Sequence, residues 1–206
     1  IVFNTRSKTY SVNPYPLVNK VTSTEVEVAY LHDMAVAIRE QAARSACLLK
    51  GNLVVDLKHE SRAGRALEVP HEWVCIDFDK VDYAPTHLGV EAAVNNLLPP
   101  YMRNVSFVSQ LSASCHHPHA TKLSAHVFFM LDKPIESNEL REWLTWLNFQ
   151  SPVIDSVALT PSNTRLHFPI DRALSSNSQL IYIAPPRCVG FTSAIKDPVA
   201  YVKRKH

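Results

Sequence analysis

The stretch Trp73-Val-Cys-Ile-Asp-Phe-Asp79 is where the fold is read. Its aromatic and β-branched residues favour an extended strand. Alternation along that strand puts Asp77 and Asp79 on one face, roughly 7 Å apart by strand rise. Working outward, 87–98 carries apolar residues at helical spacing and stops before Pro99-Pro100, which cannot continue a helix. Strands are predicted over 105–111 and 123–131, with a polar loop, 112–122, between them. Glu136 opens a helix to Leu147 with Leu140, Trp143, Leu144 and Leu147 on one face, and 152–159 gives a fourth strand. The order β-α-β-β-α-β is that of an α+β, RRM-like (ferredoxin-like) unit. Upstream, Thr24-x-x-Glu27 forms a capping-box pattern for a helix running to about Leu49 and stopped by Gly51. Leu53-Val-Val-Asp-Leu57 reads as a short strand and 58–70 as a loop. Residues 1–22, with Pro14 and Pro16, form an irregular lead-in or an edge strand. Residues 160–190 hold a strand or two among loops, and the last stretch docks on the sheet.

Composition narrows the classes. The chain has 206 residues, 46% hydrophobic and 19% charged, enough for a buried core and incompatible with wholesale disorder. No apolar run approaches the roughly 18 to 20 residues that span a bilayer, and Asn4-Thr-Arg-Ser-Lys8 leaves no room for a signal peptide. With no initiator Met and a Lys203-Arg-Lys-His206 ending, the sequence reads as a domain cut from a longer polypeptide. Twenty-one basic residues against 19 acidic ones give a net charge of +2, too little for a purely electrostatic polyanion binder. Cys47, Cys75, Cys115 and Cys188 show no C-x-x-C spacing, so reduced thiols in a cytoplasmic setting are expected. Only four glycines occur, and neither glycine-rich phosphate-loop pattern is present. If nucleotides are handled, side chains and metal must hold their phosphates.

In a split βαβ sheet the first strand lies between the third and the fourth. Asp77 and Asp79 on the first, Ser124 and His126 two apart on the third and Asp155 on the fourth could then share one face. Three carboxylates suit hard divalent ions such as Mg²⁺ or Mn²⁺, which take oxygen ligands completed by water and substrate phosphates. Two such ions can activate an attacking hydroxyl and stabilise the leaving oxygen. Ser124 and His126 would hold a triphosphate by hydrogen bonds. Plainer readings exist for each residue: a solvent-facing acidic pair at a strand end, a hydrogen-bonded core histidine, and an Asp155 that begins a turn. Joint placement on three adjacent strands is what favours the functional reading.

These motifs resemble the archaeo-eukaryotic primase superfamily in its viral and plasmid primase-polymerase branch. Val74-Cys-Ile-Asp-Phe-Asp79 is similar to the family's h-h-D-h-D-h strand, Ser124-Ala-His126 to its S-x-H strand, and Val153-Ile-Asp155 to its third, metal-binding motif. The segment Pro161-Ser-Asn-Thr-Arg-Leu-His-Phe-Pro169 resembles the part that approaches the incoming nucleotide. The resemblance covers roughly 53–185. It implies one catalytic domain over 1–206, with an N-terminal α/β part (1–70), an RRM-like core (71–190) and a C-terminal tail (191–206). Implied roles are metal binding for Asp77, Asp79 and Asp155, and nucleotide contact for Ser124, His126 and Arg165. Arg62, Arg65 and Arg172 are further template or phosphate candidates, with Arg187 and 203–205 in a possible basic patch. The implied activity is template-dependent nucleotidyl transfer, as DNA primase, DNA polymerase or both, in replication of a mobile element or virus. Two Mg²⁺ or Mn²⁺ ions, a single-stranded DNA template, nucleoside triphosphates and a helicase domain in the parent chain are its implied cofactors and partners.

Two other functions compete. A rolling-circle Rep nuclease needs a His-hydrophobic-His strand and a helix tyrosine, for which His117-Pro-His119 and Tyr30 are the nearest matches. A non-catalytic RRM-like module would stack bases on aromatic side chains, but Phe78 and Phe128 are expected together on the face opposite the aspartates, as core. Zinc on Cys115-His-His-Pro-His119 is disfavoured, because structural zinc sites draw on separated ligand pairs.

Overall fold

The computed structural model describes residues 1–4, 6–7, 9–11, 20–160 and 164–204. Most of the proline-containing lead-in, including Pro14 and Pro16, therefore lies outside the described residues, as do 161–163 and Lys205. In chain order the elements are β1 (Val2–Asn4), β2 (Thr9–Ser11), α1 (Leu31–Ala43), β3 (Cys47–Leu49), β4 (His71–Val81), α2 (His87–Leu97), β5 (Phe107–Leu111), β6 (Leu123–Ile135), α3 (Ser137–Asn148), β7 (Ala158–Leu159), β8 (Leu166–His167), β9 (Leu180–Tyr182) and β10 (Val199–Val202). The fold is α+β with antiparallel sheets.

The main sheet has the order β10-β5-β6-β4, every neighbouring pair antiparallel. Its two central strands are buried on both faces. One face carries Val74, Ile76 and Phe78 of β4 with Ala125, Val127 and Phe129 of β6, packed on Val90, Ala93 and Val94 of α2 and Leu140, Leu144 and Leu147 of α3. Side chains such as Phe78 and Phe129, at most 1% exposed, contribute about 1.5–3 kcal/mol each through burial. On the other face, Cys75, Val108, Phe128 and Val199 meet Met34, Ala35 and Ile38 of α1 with Leu174, Ile181 and Ile183. Phe128 is thus on the aspartate side, not with Phe78 as expected, because it lies two residues from His126 and alternation returns it to the same face. The last stretch does dock on the sheet, as β10 against β5.

Three predicted elements differ. The first helix begins at Leu31 rather than near Thr24, because the chain just before Thr24 is held against 57–60. Ser23 Oγ accepts from Leu57 N–H at 2.8 Å and Thr22 Oγ1 from His59 N–H at 3.2 Å, stitching 21–23 to 57–60. The helix start is closed instead by Asp33, whose carboxylate accepts the Tyr30 N–H. The helix then ends at Ala43, Ser45 turns the chain at φ 58°, and Cys47–Leu49 becomes β3, paired with β9. Leu53-Val-Val-Asp-Leu57 forms only a single bridge, Leu53 to Ala66.

The most consequential difference concerns the fourth strand. Residues Val153–Ser156 form one turn of 3₁₀ helix, and β7 behind them pairs with β8 rather than with β4. Val153 alone turns inward, while Ile154 is 43% and Leu159 57% exposed, so the run lacks a buried face. The free edge of β4 is taken by 169–171. Asp79 N–H donates to Pro169 O at 2.8 Å and Asp171 N–H to Asp77 O at 3.0 Å, around an antiparallel bridge between Phe78 and Ile170. Asn148, fully buried at the end of α3, binds the other side of this segment. Its amide donates to Ile170 O at 2.9 Å, and its oxygen accepts Ile170 N–H at 3.1 Å. Ile170 is therefore paired on both sides, by β4 and by a side chain.

Candidate active site

Pairing across the sheet builds the site. Asp77 of β4 stands opposite His126 of β6, and on the free edge Asp171 faces Asp77. The ladder slips between Phe78 and Val81, where Lys80 adopts φ 56°. Such a bulge re-aims the side chains beside it. Here it brings Asp79 and Lys80 to one hydroxyl: Ser124 Oγ accepts the Lys80 N–H at 3.0 Å and donates to Asp79 Oδ1 at 3.3 Å. His167 of β8 donates from Nε2 to Asp79 Oδ2 at 3.0 Å. Asp79 is thus held from two sides while 40% exposed, and Asp77 beside it is 23% exposed.

The electrostatics are unbalanced. Burial, then the carboxylates of Asp171 and Asp79, push the Asp77 carboxyl well above the usual carboxylate range. His126 brings no compensating charge. Its imidazole, 9% exposed, is held down to about 4 by burial and is neutral at pH 7. Its Nε2 lies 3.7 Å from Asp77 Oδ1, too far for a direct hydrogen bond. Like charges gathered in a half-buried place raise one another's proton affinity, and a cation would relieve this. Among the described residues, no three His, Cys, Asp or Glu side chains already enclose a common point as a metal cage. The donor set itself, three carboxylates on adjacent backbone segments, is the oxygen chemistry that hard divalent ions take.

The structure brings together Asp77, Asp79, Ser124 and His126. It does not bring in Asp155, which sits exposed on the 3₁₀ turn; the charge that reaches Asp77 from the far side is that of Asp171. Arg165 is exposed, two residues from His167. Arg62 Nε donates to Ser178 O at 2.9 Å, and Arg172 lies 4.3 Å over the Phe168 ring while donating to Thr145 Oγ1 at 3.4 Å, so both support the fold locally. Arg65 and Arg187 are exposed on the surface. Arg204 donates to Asn95 Oδ1 at 2.8 Å.

Asp171 and His167 were missed by sequence reasoning, although His167 falls inside the segment singled out as nucleotide-approaching. The signal for Asp171 was present: Pro169-Ile-Asp171 repeats the apolar-then-acid step of Val153-Ile-Asp155. The features weighed for the other functions are placed differently. His117 and His119 leave the strands altogether and meet the Tyr10 ring at 4.3 and 5.2 Å, and Tyr30 is 73% exposed. The sheet face that a base-stacking module would leave bare is covered by α1 and the 174–183 segment.

No helix among the described residues is long and apolar enough to cross a membrane. No family model and no curated protein matches the chain. Among solved structures, the chain is similar to the polymerase domain of Mycobacterium tuberculosis Ligase D in complex with DNA, with 14% sequence identity and a TM-score of 0.38; the match covers 84% of this chain and 60% of that one.

Proposed function

We propose that the chain is a template-dependent nucleotidyltransferase, a DNA primase or DNA polymerase of the primase-polymerase kind, using Mg²⁺ or Mn²⁺. The observation that carries this reading is the convergence of Asp77, Asp79 and Asp171 from β4 and its free-edge neighbour, beside Ser124 and His126 of β6. The succession β4-α2-β5-β6-α3-edge segment, with β4 between β6 and the edge segment, supports an RRM-like core.

Asp77, Asp79 and Asp171 would hold the metal ions. When bound, the ions supply charge to activate an attacking 3′-hydroxyl and to stabilise departing pyrophosphate. Ser124 and His167 orient Asp79, one on each carboxylate oxygen. Such outer partners fix a ligand's direction and tune its basicity. Arg165 would meet a triphosphate, and the protein's share of catalysis would be positioning and charge compensation. Single-stranded DNA and nucleoside triphosphates are the substrates this assigns. Replication of a mobile element or virus, a helicase domain in the parent chain and a cytoplasmic setting belong to the same proposal.

The test is extension of a primed single-stranded template with dNTPs and Mg²⁺ or Mn²⁺. Wild type should extend, and Asp77→Ala/Asp79→Ala should lose activity by at least about 10³-fold, as expected when a site acting through charge loses its ion ligands. Template binding without extension by wild type would sink the assignment. Cleavage with a protein–DNA adduct would replace it with the nuclease.

A further inference from the structure

The row that carries two of the carboxylates continues across the whole sheet. Gln110 of β5 stands opposite His126, His126 opposite Asp77, and Asp171 beyond Asp77. Within this row the directions of the hydrogen bonds are set from one end. The Ile183 carbonyl can only accept, so the Gln110 atom 2.9 Å from it is the amide nitrogen. The Gln110 carbonyl oxygen is then the atom 2.8 Å from His126 Nδ1. That oxygen can only accept, so Nδ1 carries the proton. Gln110 and His126 are both buried, at 2% and 7% exposure, and the amide is tied at both ends, so water is not free to reverse the chain.

A neutral imidazole has one N–H. With it spent on Gln110, Nε2 is a bare lone pair, and Nε2 is the atom turned toward Asp77. In this form His126 has no hydrogen to offer a phosphate oxygen, the role expected of it from sequence. It can accept one, and the hydroxyl groups of a nucleotide or primer terminus are the donors that nucleotidyl transfer brings to such a site.

We propose that Gln110 is a positioning residue that fixes the His126 tautomer, so that Nε2 accepts a hydrogen bond from a sugar hydroxyl of the bound nucleotide or primer. The Nδ1 proton stands on the geometry; the acceptor role of Nε2 belongs to the neutral ring, and the hydroxyl part rests on the nucleotidyltransferase reading. The tautomer is read directly on wild-type protein labelled with ¹⁵N at histidine. Long-range ¹H–¹⁵N correlation at pH 7 should show His126, assigned by its absence in His126→Gln, with a proton on Nδ1 and none on Nε2. A proton on Nε2 overturns the proposal, and this spectrum needs no altered residue at Gln110. Gln110→Glu, which keeps an acceptor in place, should retain the Nδ1 proton, and Gln110→Leu should lose it.

In primer extension, Gln110→Leu should lower kcat roughly 10- to 100-fold, the usual cost of removing a partner that orients an active-site imidazole, with little change in nucleotide KM. A raised KM at unchanged kcat would overturn the acceptor role and restore a phosphate contact. Wild type that extends no primer, yet shows the Nδ1 proton, would remove the enzymatic reading and the hydroxyl role while upholding the hold of Gln110 on His126.

Discussion

On one side of β4 runs β6, 13 residues long and paired with it from His71 to Val81. On the other side lies 169–171, a short segment kept in place by two backbone bonds to β4 and by the Asn148 side chain. Both flanks deliver side chains to the same two aspartates. A long regular ladder spreads its register over many bonds, so the loss of one moves little. A short edge segment concentrates its placement in a few atoms. The difference teaches that the third carboxylate is positioned by a few local bonds, two backbone bonds to β4, the Asn148 side chain on Ile170 and the Ala173 N–H on Asp171 Oδ1, rather than by a long ladder.

The largest effect that would test this contrast is on activity. Asp171→Ala should reduce extension by about 10²-fold or more, since a carboxylate that would hold the charge-compensating ions is removed. Asp155→Ala, on the exposed turn, should leave extension within about threefold of wild type, as surface substitutions away from a site do. The paired assay decides between them: equal rates for Asp171→Ala and wild type would return the role to the 3₁₀ turn.

That choice could not be made from sequence. Val153-Ile-Asp155 and Pro169-Ile-Asp171 are near copies, each an apolar pair followed by an acid, and each follows a proline-containing stretch. What separates them is tertiary: Ile170 is fully buried against β4, whereas Ile154 is 43% exposed. The ladder side was legible, because Ile76-Asp-Phe-Asp79 and Ser124-Ala-His126 carry period-two alternation within long apolar strands. Helices α2 and α3 were legible for the same reason, with apolar residues at helical spacing. The region before β4 was not. There the hydroxyls of Ser23 and Thr22, beside the Thr24 capping pattern, bond to backbone 34 and 37 residues away, and a three-residue strand such as β3 carries no period of its own. Gln110 was invisible because its role depends on an Ile183 carbonyl that only the folded chain supplies.

Next in size is the support of the edge segment. Asn148→Leu leaves both the N–H and the C=O of Ile170 buried without partners on that side. At about 1–3 kcal/mol for each unpaired group, the expected loss of stability is about 3 to 4 kcal/mol. Urea unfolding would measure it, and a loss below about 1 kcal/mol would mean that the β4 bonds alone hold the segment.

His126 on the ladder flank and Asp77 between the flanks differ in the sign of their pH dependence. Burial depresses the His126 pKa to about 4 from an ordinary 6.5. The folded state then binds fewer protons than the unfolded one between these values, so its stabilising contribution is full above pH 6.5 and is lost as pH falls toward 4. That amounts to at most about 3 kcal/mol. Asp77 runs the other way. Its carboxyl is raised by burial and by Asp171 and Asp79, so its contribution is full below the ordinary carboxylate value and is lost as pH rises through the raised one. Asp77→Asn should therefore unfold at a higher urea midpoint than wild type at pH 7, with the gap closing at acid pH. His126→Gln should flatten the loss of stability between pH 6.5 and 4. A Asp77→Asn protein no more stable than wild type at neutral pH would show that the three carboxylates do not burden one another.

The smallest effect belongs to the ladder side and sharpens the contrast from below. Ser124 Oγ joins Lys80 N–H and Asp79 Oδ1 across the bulge, so Ser124→Ala removes two hydrogen bonds beside the site. Lys80 is exposed and water can replace the lost acceptor, while Asp79 keeps its bond to His167. A net cost of only about 1 kcal/mol follows. Lys80→Gly in the same background should recover about 1 kcal/mol, because φ 56° costs a residue with a Cβ that much and costs glycine nothing. If the pair of changes nearly cancels in urea unfolding, the bulge is held by the ladder and the serine only aims Asp79. If Ser124→Ala alone costs as much as Asn148→Leu, the ladder side is held as locally as the edge, because eight paired positions would then have failed to carry the register past one missing hydroxyl.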